Sequence, residues 1–208
     1  MLFDTGENGK NLFQNMKNMD VDICDIKHVV ISHDHWDHTG GLEAVLKKKK
    51  RIKVYGCGGF SREFKDIVSK KGAELMESEL FDNITGNIFT TGSIEGTYKN
   101  GRIEEQSLVI KTANGMSIVT GCAHPGIVNI VERVKNLFPQ EKFYCILGGF
   151  HLKDMRDDEI VGVCDRLTAL GVQKAGPAHC SGENGIRIFS EIFKENFIQV
   201  VAGTEIEV

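Results

Sequence analysis

A chain of 208 residues, 41% hydrophobic and 26% charged, has room for one domain with a sizeable core, and that balance excludes disorder. A formal net charge of −4 counts against general nucleic-acid binding, which needs a basic face, and no apolar run of about 18 residues offers a membrane-spanning helix. The start carries no basic segment followed by an apolar one, and the six cysteines (24, 57, 122, 145, 164 and 180) include no Cys-x-x-Cys pair, so free thiols in a cytoplasmic protein are expected rather than a disulfide framework, a zinc ribbon or an iron–sulfur site.

Strand-like and helix-like stretches alternate along the chain, which predicts an α/β layered fold in one domain over residues 1–208. Leu12, Phe13, Met16 and Met19 have helical spacing behind Asn8, an N-cap residue. Residues 29–31 form a short apolar run ending at Ser32 and read as a buried strand. Gly40 and Gly41 interrupt; then residues 42–50 read as helix, 52–55 as strand and 62–71 as helix. In a β-rich middle, residues 107–111 and 116–120 flank Asn114-Gly115, a two-residue hairpin signal. Residues 121–126 read as a loop. Ile127, Ile130, Val131 and Val134 mark a helix, residues 143–147 a strand, and Ile160 to Leu170 a helix ending at Gly171. A strand at 172–175, a helix near 185–193 and a strand at 198–202 complete the alternation.

The seven histidines are unevenly placed. His33 follows a predicted strand directly, and His124, His151 and His179 each fall in a loop just after one, so their side chains can converge on one sheet edge. Residues 33–38 read His33-Asp34-His35-Trp36-Asp37-His38, three imidazoles and two carboxylates within six positions. That is a metal-ligand density suited to Zn²⁺, as one or two ions, and also to Fe or Mn. Neighbouring residues on a tight loop point in different directions, so His33 and His35 can share one ion while Asp37 and His38 turn toward a second. Trp36 is expected to pack over this loop. The basic run at 47–51 reads as a solvated helix end, the sharper alternative being a phosphate-attracting patch. Cys122 and Cys180 read as small buried residues rather than soft ligands, and His28 as a boundary residue.

The core His33-x-His35-x-Asp37-His38 resembles the signature of the metallo-β-lactamase superfamily. Leu2-Phe3-Asp4-Thr5-Gly6 resembles its first motif, and Gly121-Cys122-Ala123-His124 its third. With Gln106-Ser107-Leu108, residues 121–130, Gly148-Gly149-Phe150-His151-Leu152 and His179-Cys180-Ser181-Gly182, the chain is similar to one subfamily, of metal-dependent hydrolases and dihydropterin-ribofuranosylaminobenzene phosphate synthases. The resemblance implies an αββα sandwich with a metal site at its edge. By position it implies His33, His35 and His124 on a first ion and Asp37, His38 and His179 on a second. It also implies that Asp4 orients a ligand histidine through its other ring nitrogen, and that a metal-activated water is the nucleophile. Asp37 and His151 are the candidates for catalytic roles.

Three departures bear on this. The superfamily's metal-bridging aspartate, in a Gly-Asp sequence after a strand, has no counterpart in Ile146-Leu147-Gly148-Gly149-Phe150-His151. An imidazole nitrogen cannot bridge two ions as a carboxylate can, so His151 stands open between metal ligand, substrate or acid–base group, and structural histidine; Asp154 is a badly placed substitute. The chain starts at the first motif, which puts the strand of Leu2 and Phe3 at or near a sheet edge; a reduced sandwich, a homo-oligomer pairing at that edge and a longer natural chain are the alternatives. The short loop after Tyr55 leaves no room for lactam- or nucleic-acid-recognition insertions. The leading reading is a hydrolase acting on a small-molecule ester, phosphoester or related substrate, with no nucleic-acid or membrane partner. The alternatives are a transferase joining a dihydropterin pyrophosphate to an aryl ribofuranosyl phosphate, and a non-catalytic or redox metal-binding protein.

Overall fold

Val29, Val30 and Ile31 are all wholly buried, so the strand they belong to must be covered on both faces. The computed structural model, which describes residues 1–208, shows how. The first half folds as β1 (Leu2–Phe3), α1 (Gly9–Asn18), β2 (His28–Val30), α2 (Trp36–Thr39), α3 (Leu42–Lys48), β3 (Lys53–Gly56), α4 (Arg62–Lys70) and β4 (Glu74–Glu77). Its strands make a four-stranded, all-parallel sheet in the order β1-β2-β3-β4, with β1 outermost and paired to β2 at Leu2↔Val29 and Phe3↔Val30. Local chemistry starts the helices: the Asn8 side chain accepts from Asn11 N–H (2.9 Å) and Ser61 Oγ from Phe64 N–H (3.1 Å), satisfying donors that a first turn leaves free.

The remainder comprises β5 (Asp82–Thr85), β6 (Ile88–Thr90), β7 (Ile94–Tyr98), β8 (Gly101–Glu105), β9 (Leu108–Thr112), β10 (Gly115–Thr120), α5 (Ile127–Leu137), β11 (Phe143–Gly149), α6 (Asp157–Ala169), β12 (Val172–Ala178) and α7 (Gly182–Phe193). Six of these strands form a mixed sheet, order β12-β11-β10-β9-β6-β5, while β7 and β8 pair as a separate hairpin. Strand alternation sorts side chains into three apolar layers. Val29, Ile31 and Val54 face Leu42, Val45 and Phe64 of the first helix layer. Val30, Tyr55, Ile84 and Leu108 meet between the sheets. Val109, Met116, Ile118 and Ile146 pack on Ile130, Ile160 and Phe189 of the second helix layer. The result is an αββα sandwich.

The structure corrects several sequence expectations. Residues 198–202 form no strand; Ile198 N–H donates to Ala175 O (2.9 Å) and the chain then runs irregularly beside β12. The β9–β10 turn is Ala113-Asn114, with Gly115 (φ +126°) already paired to Thr112, one position earlier than the Asn-Gly signal suggests. Trp36 does not pack over its loop: it is 69% exposed. The basic run lies before β3, at the end of the parallel sheet opposite His33, where Lys47 pairs with Glu43 (3.1 Å) and Lys49 donates to Cys24 O, so it is no phosphate patch beside the histidines. No helix is long and apolar enough to cross a membrane.

Candidate metal centre

Strands β10, β11 and β12 run parallel and in step, with Thr120 opposite Gly148 and Gly149 opposite Ala178. Their carboxyl ends therefore release residues 121–124, residues 150–151 and His179 side by side. The other sheet delivers Ser32 and His33 to the same edge because buried Gln106 ties the two layers. Its backbone N–H donates to Ser32 O (2.8 Å), Nε2 donates to Ile31 O (2.8 Å), and Oε1 accepts from Thr90 Oγ1 (2.5 Å).

Six sequence-predicted side chains gather here in two groups. Ligand atoms of His33, His35 and His124 lie within 4.8 Å of one another, as do those of Asp37, His38 and His179. Asp4 organises both. Its Oδ1 accepts from Ser32 N–H (2.7 Å), and its Oδ2 from Ser32 Oγ (2.8 Å) and His38 Nδ1 (2.7 Å). Ser32 Oγ in turn lies 2.9 Å from His33 Nδ1. A carboxylate can only accept, so His38 Nδ1 carries a hydrogen, and it is in the neutral ring that Nε2 presents its lone pair. That Nε2 lies 3.6 Å from Asp37 Oδ2, which is 3.2 Å from His179 Nε2; His33 Nε2 lies 3.1 Å from His35 Nδ1. Donors around a tetrahedral Zn²⁺ with bonds of about 2.0–2.1 Å sit about 3.3 Å apart, so these spacings match edges of such a polyhedron.

His124 supplies an independent sign. It is 8% exposed, and neither ring nitrogen has a hydrogen-bond partner, although a buried polar atom left unpaired costs about 1–3 kcal/mol. The donor chemistry and this orphaned imidazole fit a bound cation. Burial, reinforced by neighbouring histidines, holds His33 well below the usual imidazole range and His124 down to about 4. Burial also lowers His35. These rings are neutral, with lone pairs available, at neutral pH. Burial acts the same way on His38, but the hydrogen bond and charge of Asp4 outweigh it and raise its pKa. Because His124 titrates lower in the fold than in the unfolded chain, its stability contribution is complete above about pH 6.5 and is lost as pH falls toward 4. Histidine-resolved NMR of the metal-free protein should show one ring, lost in His124→Leu, still neutral at pH 5; a normal midpoint near 6.5 for that ring would refute the assignment.

Asp4 fixes one ring of each group, so Asp4→Ala is expected to lower metal affinity or turnover by about 10–100-fold. Asp4→Asn should be nearly as damaging, because its NH₂ must face either the Ser32 N–H or the His38 Nδ1–H, donor against donor. Binding titrations of both variants test this, and unchanged affinity would remove Asp4 from the site's support.

His151 stands apart from the two triads. Its ligand atom groups with Cys122 and His124, its ring centroid is 4.6 Å from that of His124, and its pKa is raised, chiefly by a hydrogen bond with Cys180. Asp154 is exposed and joins no donor group. An aspartate does not fit at Gly149, where a Cβ would sit 2.3 Å from Gly121 O and 2.7 Å from Cys180 Sγ.

Sequence reasoning missed Glu105. It is 1% exposed at the end of β8, with Oε1 accepting from Cys122 N–H (2.9 Å) and Ala123 N–H (2.8 Å) and Oε2 from His124 N–H (2.7 Å). Burial pushes its carboxyl up, and the three N–H donors pull back toward the ionised form. Glu105 thereby holds the loop that carries His124, in which Ala123 sits at φ +59°. Tyr98, at the tip of the β7–β8 hairpin, was missed too; its ring lies 4.6 Å from that of His35 and 5.2 Å from that of His124. Beside it opens a cleft of about 520 Å³ whose lining includes Asp34, His35, Ser61, Tyr98 and Arg102.

The four layers and the histidine-rich edge where the strands end define the class. The chain belongs to the metallo-beta-lactamase superfamily, whose sequence model matches residues 1–109. The chain is similar to a Methanocaldococcus jannaschii protein named 7,8-dihydropterin-6-methyl-4-(beta-D-ribofuranosyl)-aminobenzene-5'-phosphate synthase, at 32% identity over 98% of this chain and 82% of that one. Among solved structures, Tm1679, described as a metal-dependent hydrolase of the beta-lactamase superfamily, matches with a TM-score of 0.81 at 29% identity, covering 99% of this chain and 88% of that one. The short form of human tRNase Z shares the fold alone, with a TM-score of 0.55 at 14% identity over 85% of this chain and 80% of that one.

Proposed function

We propose that the protein is a metal-dependent hydrolase of a small ester, phosphoester or related substrate, with His33, His35 and His124 holding one ion and Asp37, His38 and His179 a second. The observation that carries this reading is the pair of adjacent donor triads, one containing a buried imidazole with no other partner. Zn²⁺ suits these donors first, with Fe or Mn also compatible. A bound divalent ion supplies Lewis acidity and lowers the pKa of water toward neutral. The residues of the chain do the rest. Asp4 and Ser32 lock the rings of His38 and His33, and Glu105 locks the His124 loop. Tyr98 covers His35 and His124 and walls the cleft that receives the substrate. Asp37, the one carboxylate among the six donors and only partly exposed, is assigned the proton of the attacking water. His151, exposed and beside His124, is assigned to substrate or leaving-group contact.

A second reading has its own support: the named activity of the 32%-identical synthase suggests a condensation in which a pyrophosphate leaves a dihydropterin. One experiment separates the two. Protein loaded with Zn²⁺, Mn²⁺ or Fe²⁺ is assayed on an ester and phosphodiester panel, and separately by mass spectrometry with a dihydropterin pyrophosphate and an aryl ribofuranosyl phosphate. Chelator-sensitive hydrolysis without a condensation product supports the first reading. A condensation product from protein inert on the panel overturns it in favour of the second.

A further inference from the structure

Cys122 stands among the donors of both triads. Its sulfur groups with His33 and His38, with His124 and His151, and with His179 and Cys180, all ligand atoms lying within 4.8 Å of one another in each group. It therefore neighbours two members of the first triad, His33 and His124, and two of the second, His38 and His179. Sγ is 3.5 Å from His38 Nε2, the nitrogen that Asp4 leaves free. Cys122 is 5% exposed, and the loop around it is pinned by Glu105 on either side of Ala123. The unpartnered His124 nitrogens mark the same spot from the next turn of that loop. No carboxylate reaches this point from β11: the volume beside Gly149 is filled by Gly121 O, Cys180 Sγ and the Cys122 Cα, the last at 3.0 Å from a built Cβ.

We infer that the Cys122 thiolate takes the place of the absent bridging carboxylate, as a ligand shared between the two donor groups. This rests on the metal reading above and adds a donor to it. A thiolate sulfur has more than one lone pair to offer, which an imidazole nitrogen does not, so it can serve two cations at once. Binding displaces the thiol proton to solvent. A soft, anionic ligand at the centre also selects among metals, favouring Zn²⁺ or Fe²⁺ over Mn²⁺ or Mg²⁺. Cys180 is the neighbouring control. It is half-buried, and its Sγ–H donates to Cys122 O at 3.4 Å, but it joins only the group of His179 and Cys122.

X-ray absorption at the zinc edge of the loaded native protein tests this without a variant. The expected spectrum has a sulfur shell at about 2.3 Å beside nitrogen and oxygen at about 2.0–2.1 Å. In the Co²⁺-substituted protein, a near-ultraviolet sulfur-to-metal charge-transfer band should be present in the native chain and in Cys180→Ser and absent in Cys122→Ser, whose affinity for the second equivalent should fall at least 10-fold. Two bound ions with a purely nitrogen and oxygen shell would leave the metal reading intact and overturn this one. A band that survives Cys122→Ser but vanishes in Cys180→Ser would transfer the role to Cys180 and overturn it as well. A protein that binds no metal overturns both.

Discussion

Glu105→Ala is expected to destabilise the metal-free protein by about 3–6 kcal/mol, more than any other single change at the site. Three backbone N–H groups, of Cys122, Ala123 and His124, converge on this carboxylate where water does not reach. Alanine leaves all three unpaired, and each buried, unsatisfied donor costs about 1–3 kcal/mol. For a chain of this length that corresponds to a fall in melting temperature of roughly 10–20 °C. Glu105→Gln discriminates between charge and shape. Its amide oxygen can keep the two bonds to Cys122 and Ala123, but its NH₂ would then face the His124 N–H, donor against donor. The glutamine variant should therefore lose about 1–3 kcal/mol and shift His124 enough to weaken metal binding about 10–100-fold. Urea titrations of both variants, with and without metal, check the ordering. An alanine variant within about 1 kcal/mol of the native protein would mean that water replaces the carboxylate and the loop holds itself.

The contrast between Glu105 and His33 shows what a sequence can and cannot display here. The donors of residues 33–38 are adjacent in the chain, so their density is visible without a fold, and apolar runs that alternate with helical stripes point to an α/β layered fold, whose αββα order comes from the resemblance of the motifs. Glu105 is one of 29 acidic residues, and nothing local separates it from its half-buried neighbour Glu104 on the same strand. Its role exists only because β8 ends against the loop that leaves β10, a contact set by tertiary packing. Two of the four Asn-Gly pairs lie at hairpins and teach a related lesson. In the β7–β8 hairpin the turn is Lys99-Asn100, both at positive φ, and Gly101 already pairs with Tyr98. In the β9–β10 hairpin the turn is Ala113-Asn114, and the positive φ falls on Gly115. In both, glycine opens the returning strand rather than closing the turn, a choice of turn geometry that the dipeptide alone does not specify. The first of these hairpins places Tyr98 over His35, so a missed turn was also a missed wall of the site. Trp36 failed for the opposite reason: a large apolar side chain in a ligand loop suggests burial, but the neighbouring positions spend the interior of that loop on His33 and His38, and the indole is left outside.

His124→Leu is expected to separate stability from function. In the metal-free protein the imidazole is buried among the rings of His33, His35, Tyr98 and His151 with neither nitrogen paired. A leucine of similar bulk removes those unpaired atoms while retaining the contacts, so the metal-free variant should be as stable as the native chain or more stable by about 1–2 kcal/mol. Function should move the other way. The first donor group loses one of its three nitrogens, the rise in melting temperature on adding Zn²⁺ should shrink sharply, and turnover of any substrate that needs the ion should fall about 10³-fold or more. On the metal reading, such a residue is kept for what it does once an ion is bound, and the loop at residues 121–124 has the same character, with Ala123 kept in the left-handed region by Glu105. The measurement is a pair of melting curves for each protein, with chelator and with Zn²⁺. A variant that is less stable than the native chain in chelator would show that the His124 ring contributes packing that leucine cannot replace. A variant with an undiminished response to Zn²⁺ would show that His124 does not hold the ion.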